Sequence, residues 1–411
     1  MTPFNLSFNF RDIFLSPRIA LSGKKIWVFL LANLLGYVIY WISTYFSIYL
    51  SGFDLFSAIS EYGLYPYVQN YELSFISKTF YNMGIFSWLF ILFLASAAVN
   101  RITLKQLKGN EFFSAKDSWS FVYKHWHSII FAPLTILVII VLFILLAGFF
   151  GILGRIPLVG PFFISIPYII YFFGSIFTIY TIFVFFTSIN SSPSIVAIYE
   201  EDTMGTVFQS YSITWSQPWR LIVYNTILLP LVFISVQILT WFWLSSIGFI
   251  EYVFGNNLAM GESFLNISNY ATSLVFPAWM ANYLNEINTS LSNLLNFKFK
   301  IPLLFPLFEN ISNGTNLPHS FPAIILSISY FLIGLSIFSY ALSIFSVGQA
   351  LIFIIFKKKS DDDDVLERKD EDEINEELNN ENGLDEFSDI LESTTDENKT
   401  SITDELTSEK E

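Results

Sequence analysis

Apolar residues in this chain come in long unbroken runs, and those runs predict its elements. Six contain no Asp, Glu, Lys, Arg or His: 26–50, 80–99, 128–150, 162–189, 221–247 and 324–356. A helix needs roughly 20 apolar residues to cross about 30 Å of hydrocarbon, so each run is long enough to span. A β-barrel would instead show segments of about ten residues in strict alternation. The expectation is an all-α integral membrane protein with six transmembrane helices. The last run is long enough to tilt, to bend near Gly334 or to project from the bilayer.

The polar residues between the runs repeat. Residues 114–134 (SAKDSWSFVYKHWHSIIFAPL) return, altered, as 207–231 (VFQSYSITWSQPWRLIVYNTILLPL), and Lys24, Lys25 and Trp27 form a fainter version before the first run. Trp27, Trp126 and Trp219, the last followed by Arg220, therefore each mark the start of an odd-numbered span. Trp suits that depth because its ring is apolar while its N–H still reaches water or headgroups. The pattern predicts three hairpin repeats with these residues as interfacial anchors. Before the second Trp, Trp119, Val122, Tyr123 and Trp126 share one helical face and Lys116, Ser120, Lys124 and His127 the other. In the later copy Val207, Tyr211, Thr214 and Trp215 form the stripe. Both read as amphipathic helices lying in the membrane interface. Ser114 and Asp117 have capping-box spacing. Glu200, Glu201 and Asp202 suit a helix N-terminus, and Pro218 ends the later copy.

Charge orients the spans. Basic residues cluster at Arg11, Arg18, Lys24 and Lys25, again at Arg101, Lys105, Lys108, Lys116 and Lys124, and at Lys357, Lys358 and Lys359. The positive-inside rule then places both termini in the cytoplasm, with the chain in the plasma (inner) membrane. The first run has no small-residue cleavage site and reads as a retained anchor. Three regions follow: a cytoplasmic amphipathic segment (1–25), a membrane domain (26–356) with a large external loop (248–321), and a tail (357–411). Leu284, Ile287, Leu291 and Leu294 suggest one helix in the loop.

Composition sharpens the tail. The net charge of −14 misleads, because residues 357–411 hold seven Lys/Arg against 22 Asp/Glu, and the rest is nearly neutral. The tail is acidic and poor in aromatics, too polar to bury a core, and is expected to be disordered. Phe387, Ile390 and Leu391 form a small apolar cluster within it, a candidate docking motif for a cytoplasmic protein.

Candidate chemistry is sparse. The chain has no Cys, which removes disulfides and thiolate chemistry. His125 and His127 suggest metal, but residues two apart on a helix point in different directions, and headgroup-facing anchors are the simpler reading. The Glu200–Asp202 cluster is read as dipole compensation. No Walker loop, GxSxG elbow or HExxH occurs, and neither a cofactor nor nucleic acid is expected. Within the spans Asn225, Gln237 and Gln349 are candidates for a polar cavity, although an amide in lipid also bonds across to a neighbouring helix. Pro133 and Pro230 should kink their helices.

Three stretches carry a resemblance: 153–160 (LGRIPLVG), Ser210–Ser212 with Pro218-Trp219-Arg220 leading into Leu221, and 97–101. With these the chain resembles a family of uncharacterised polytopic membrane proteins of bacteria, including planctomycetes. Gln217 stands where the family pattern has Arg. The resemblance covers roughly 97–231 and implies the topology, without catalytic or binding residues. Two functions remain in view: a non-enzymatic scaffold or accessory subunit, and a permease or lipid-handling protein for a neutral or amphiphilic substrate. Membrane lipids are partners in either. Ion-coupled transport is disfavoured, because intramembrane charges mark such pathways.

Overall fold

The computed structural model describes residues 6–66, 68, 72–157, 159–275, 289, 321–370 and 373–374, and among them every regular element is a helix. A 3₁₀ turn, Phe10–Leu15, leads into α1 (Ser16–Ala20), α2 (Gly23–Leu50), α3 (Leu55–Tyr62), α4 (Phe75–Leu107) and α5 (Ala115–Leu153). There follow α6 (Gly160–Ser165), α7 (Tyr168–Tyr199), α8 (Thr203–Ser216), α9 (Pro218–Phe254), α10 (Glu262–Val275) and α11 (Phe321–Ser360). Six of these, α2, α4, α5, α7, α9 and α11, are long and apolar enough to cross a membrane. Each corresponds to one of the six apolar runs.

The helices outlast the runs. α4 continues through Asn100–Leu107, and α11 continues through Lys357–Lys359 to Ser360. At about 1.5 Å per residue, α11's 40 residues reach about 60 Å, beyond any hydrocarbon layer. The fourth run is divided instead, because Pro167 lies between α6 and α7.

One expectation about the repeated segment needs correcting. Residues 115–127 do not form a separate interfacial helix: α5 runs unbroken from Ala115 to Leu153, through Pro133. Nothing before the span interrupts its hydrogen bonds, and Ser114 caps its start by accepting from the Asp117 N–H at 3.1 Å. The later copy does break. Gln217, forced out of helical geometry by the following proline, sits at φ −150, ψ 64, and Pro218 starts α9 at its first position. The first copy buries one face. Ser118, Phe121, Val122, Ser128 and Ile129 are buried, while Tyr123 is exposed.

Consecutive spans pack as α2 with α4, α5 with α7, and α9 with α11. α11 also lies against α2, α4 and α7. Close approach rests on glycine: a Cβ at Gly84 would come within 2.8 Å of Ser43 Cβ and 3.4 Å of the Tyr40 backbone, and one at Gly348 would collide with Leu228. The N-terminal segment is clamped beneath α11. Tyr340 and Ser343 donate to the carbonyls of Pro17 (3.2 Å) and Ala20 (3.1 Å), and Lys359 donates to Asn9 (2.8 Å). Ile13 joins Tyr224, Leu228, Ile352 and Ile355 in one apolar cluster.

The chain divides into two units after Asp363. In the second, Asp370 and Glu373 exchange backbone-to-carboxylate hydrogen bonds at 3.3 and 3.1 Å, the reciprocal pattern of a helix start. Phe387, Ile390 and Leu391, and the residues Leu284, Ile287, Leu291 and Leu294 of the expected loop helix, lie outside the described residues.

Candidate functional site

Buried polar groups concentrate where the C-terminal ends of α4, α7 and α11 meet. Small residues make this approach possible: Ala95, Ala97 and Ala98 on α4, Ser191, Ser192 and Ser194 on α7, and Ser346, Gly348 and Ala350 on α11. Ser96 and Ser346 hydroxyls lie 2.7 Å apart, and Asn100 donates its amide to Ser194 at 2.9 Å. Ser118 of α5 donates to the Ala98 carbonyl at 2.7 Å.

Arg101 is the centre of this layer. Its side chain is 0% exposed and its guanidinium sits 2.7 Å from Glu200 Oε1. It also donates to the Ala197 carbonyl at 3.2 Å and lies over the Phe121 ring, 4.4 Å from the centroid. Glu200 reaches it because α7 ends there: its φ of 59 places it in the left-handed region, while its N–H still bonds the Val196 carbonyl. A charge buried without such partners would cost several kcal/mol, so each residue of the pair requires the other. Of the acidic cluster 200–202, only Asp202 caps α8, accepting from the Gly205 N–H at 2.6 Å. Glu200 belongs to the buried pair instead.

The basic residues near α2 are also used internally. Lys24 donates to the carbonyls of Glu111 at 2.7 Å and Phe113 at 3.3 Å. Lys25, fully buried, donates to the Ile19 carbonyl at 3.0 Å and the Gln106 amide oxygen at 2.8 Å. At the end of α11, Lys357 pairs with Asp361 at 2.6 Å and lies over the Tyr199 ring, whose hydroxyl donates to Asp363 at 2.5 Å.

The three intramembrane amides do not converge. Gln349 donates to Asn225 at 2.6 Å, joining α11 to α9. Gln237 lies farther along α9, beside a cavity of about 690 Å³ shared with Thr240, Trp241 and Ser245. Another amide, Asn33, does join three spans: it donates to Ser339 of α11 at 3.2 Å and accepts from Trp88 of α4 at 3.3 Å.

Of the proposed anchors, Trp27 and Trp219 are more than half exposed and Trp126 is half-buried. Arg220 folds back over the Trp219 ring, 5.4 Å from its centroid, and donates to Gln217. His125 stacks on Phe121 at 4.3 Å, with Nδ1 3.0 Å from the Phe121 carbonyl oxygen, and His127 packs on Trp126 and Phe131. The two imidazoles thus have separate ring partners. Among the described residues, no three His, Cys, Asp or Glu side chains assemble as a metal site.

At the far end of the hairpin α5–α7, a groove of about 500 Å³ opens between the helices. Nearer the basic end these helices pack tightly through Ala132, Ile136, Ile140 and Val184, with Val207 of α8. Beyond Ile140 and Thr181, toward the α6 turn, almost every α5 and α7 side chain is exposed or half-exposed. Phe143, Ala147, Phe150 and Gly151 line one wall; Tyr171, Gly174, Ser175 and Thr178 line the other.

Comparison with protein-family models, with curated proteins and with solved structures returns no match. The functional reading therefore rests on these residues. Sequence reasoning took Arg101 and Glu200 for surface charges. The signal that separates them is the run Ala95–Ala98, too small for a lipid-facing turn and suited to a helix packed on all sides.

Proposed function

We propose that this chain is a non-enzymatic membrane scaffold. In this reading three repeated hairpins are fastened together at their cytoplasmic ends, and both termini lie on that side of the plasma membrane. The acidic tail, 360–411, engages a cytoplasmic protein. One observation carries the reading: Tyr199–Asp363 ties the root of the tail to the end of α7, next to the buried Arg101–Glu200 pair, and Lys357, over the Tyr199 ring, holds Asp361 beside it. Charges at this end are used to fasten helices and present the tail, which suits a platform. The resemblance of 153–160 and of Pro218-Trp219-Arg220 to a bacterial polytopic family supports the topology of this reading. The test is crosslinking with mass spectrometry on the full-length protein and on a chain ending at Lys359. Tail-dependent crosslinks to one cytoplasmic protein are expected. An identical crosslinked set without the tail would overturn the reading.

A second reading, lipid handling, is favoured by the groove between α5 and α7. Its apolar walls and lateral opening suit an amphiphile better than a water-soluble solute.

A further inference from the structure

We infer that the α5–α7 groove holds one acyl chain of an anionic phospholipid, with Arg155 placed to meet the headgroup. The inference deepens the lipid-handling reading and rests on it for the groove's membrane setting.

The polar groups of the lining argue for hydrocarbon. Tyr171 donates to the Phe163 carbonyl at 2.9 Å, Ser175 to Phe172 at 2.8 Å and Thr178 to Gly174 at 2.8 Å. Each lining hydroxyl already has an acceptor within its own hairpin, so a polar solute would lose its water and gain no donor in exchange. The remaining surface is aliphatic and aromatic, with Phe143, Phe150, Ile164 and Ile179 among it, and glycine at 151 and 174.

Size argues against a helix as occupant. One turn of helix with its side chains, about 10 Å across and 5.4 Å long, already fills roughly 400 Å³. The groove's volume of about 500 Å³ would take little more than that turn, whereas a slender chain fits along it. In a bilayer no hydrophobic force drives a second helix in, since lipid tails are equally apolar.

The charge at the mouth selects the headgroup. Arg155 follows the lining residue Gly151 in the turn that leads to α6, where Ile164 lines the groove. This turn is closed tightly: a Cβ at Gly160 would strike the Gly154 backbone. Arg155 is exposed there and forms no ion pair with any described residue. Arg155 follows Gly154, whose Cβ would meet the lining residue Ile164, so its unpaired guanidinium is available to a phosphate with a net negative charge.

The glycines supply a test that leaves the fold alone. A Cβ at Gly151 or at Gly174 meets nothing within 4 Å, so leucine at either fills the groove without displacing a neighbour. Gly148, equally unobstructed, is not part of the lining and serves as a matched control. Full-length protein would be delipidated in detergent, incubated with dioleoyl phosphatidylglycerol or dioleoyl phosphatidylcholine, and read by native mass spectrometry. Expected is one retained phosphatidylglycerol, with retention falling about tenfold in Gly151→Leu and in Gly174→Leu, the weight of roughly two buried methylenes. Gly148→Leu should match the parent, and Arg155→Gln should lower phosphatidylglycerol to the phosphatidylcholine level. Unchanged retention in either groove variant overturns the assignment, as does an equal loss in Gly148→Leu. Loss of a dimer with lipid retention intact would assign the groove to a second copy. Lipid retained in the groove without any transfer between vesicles would uphold this inference while defeating lipid handling as the function.

Discussion

Arg101 and Glu200 come from different hairpins and meet 2.7 Å apart in a layer closed to solvent on the arginine side. The contact joins α4 to the end of α7 and gives each charge its necessary partner. With Phe121 above the guanidinium, it also brings α5 into the same junction.

Arg101→Leu should therefore take the Arg101 guanidinium from Glu200 and destabilise the folded protein by about 3–5 kcal/mol. Combining it with Glu200→Leu should recover much of that loss. Thermal unfolding in detergent reads both. Additive losses in the double variant would show that the two side chains do not depend on each other.

Gly84 faces Ser43 and Tyr40 with no room for a side chain. Gly84→Leu should separate α2 from α4 and cost about 1–3 kcal/mol or more, as overpacking does. Gly148→Leu, in open space, should cost nothing measurable. Equal melting of the two variants would contradict the close packing of the first hairpin.

The amide pair Asn225–Gln349 is open to a double-mutant cycle with alanine. Interhelical polar contacts in membranes typically couple by about 0.6 kcal/mol and reach about 1.7 kcal/mol. A value in that range is expected here, and a coupling of zero would remove the pair as a link between α9 and α11.

Asp361 titrates below its ordinary value of 3.8. Burial opposes its charge, but hydrogen bonds from Lys357 and Ser360 and the Lys357 charge outweigh that. A carboxyl lowered on folding adds stability above its unfolded pKa and loses it as pH falls through the folded one. The tie at the tail root should thus hold at neutral pH and release only in acid below 3.8. The contribution to stability is small, because the carboxylate is partly exposed. Carbon-detected NMR of the side chain checks this, and a midpoint above 3.8 would contradict it.

Topology has its own test. Reporters fused at Lys108 and Lys359 should lie on the cytoplasmic side and one at Arg155 on the other. A reporter at Arg155 on the same side as either would break the alternation of spans.

The spans were legible because uninterrupted apolar length is a local property. Ser114 likewise announced its cap, which needs only the residue three positions on. The Arg101–Glu200 pair was hidden by locality: Arg101 comes just after an apolar run, and so reads as the first charge outside the membrane. Its burial depends on a partner in another hairpin and on one residue in the left-handed region, neither visible in a window of sequence. The continuous α5 was missed because amphipathic and apolar stretches were read as separate helices, although no proline or glycine divides them before Pro133. Asn225 and Gln349 were recognised as amides needing partners, yet only the packing of α9 on α11 could pair them and set Gln237 apart.

The clamp of α11 over residues 9–20 has a bearing on biosynthesis. The docking site for residues 9–20 is built by Tyr340, Ser343 and Lys359, which leave the ribosome after every other span. Every hairpin must already be inserted before that segment finds its acceptors. Emergence of α11, rather than of any earlier span, then becomes the event that locks the molecule, and a chain stalled before α11 would leave residues 9–20 unsealed.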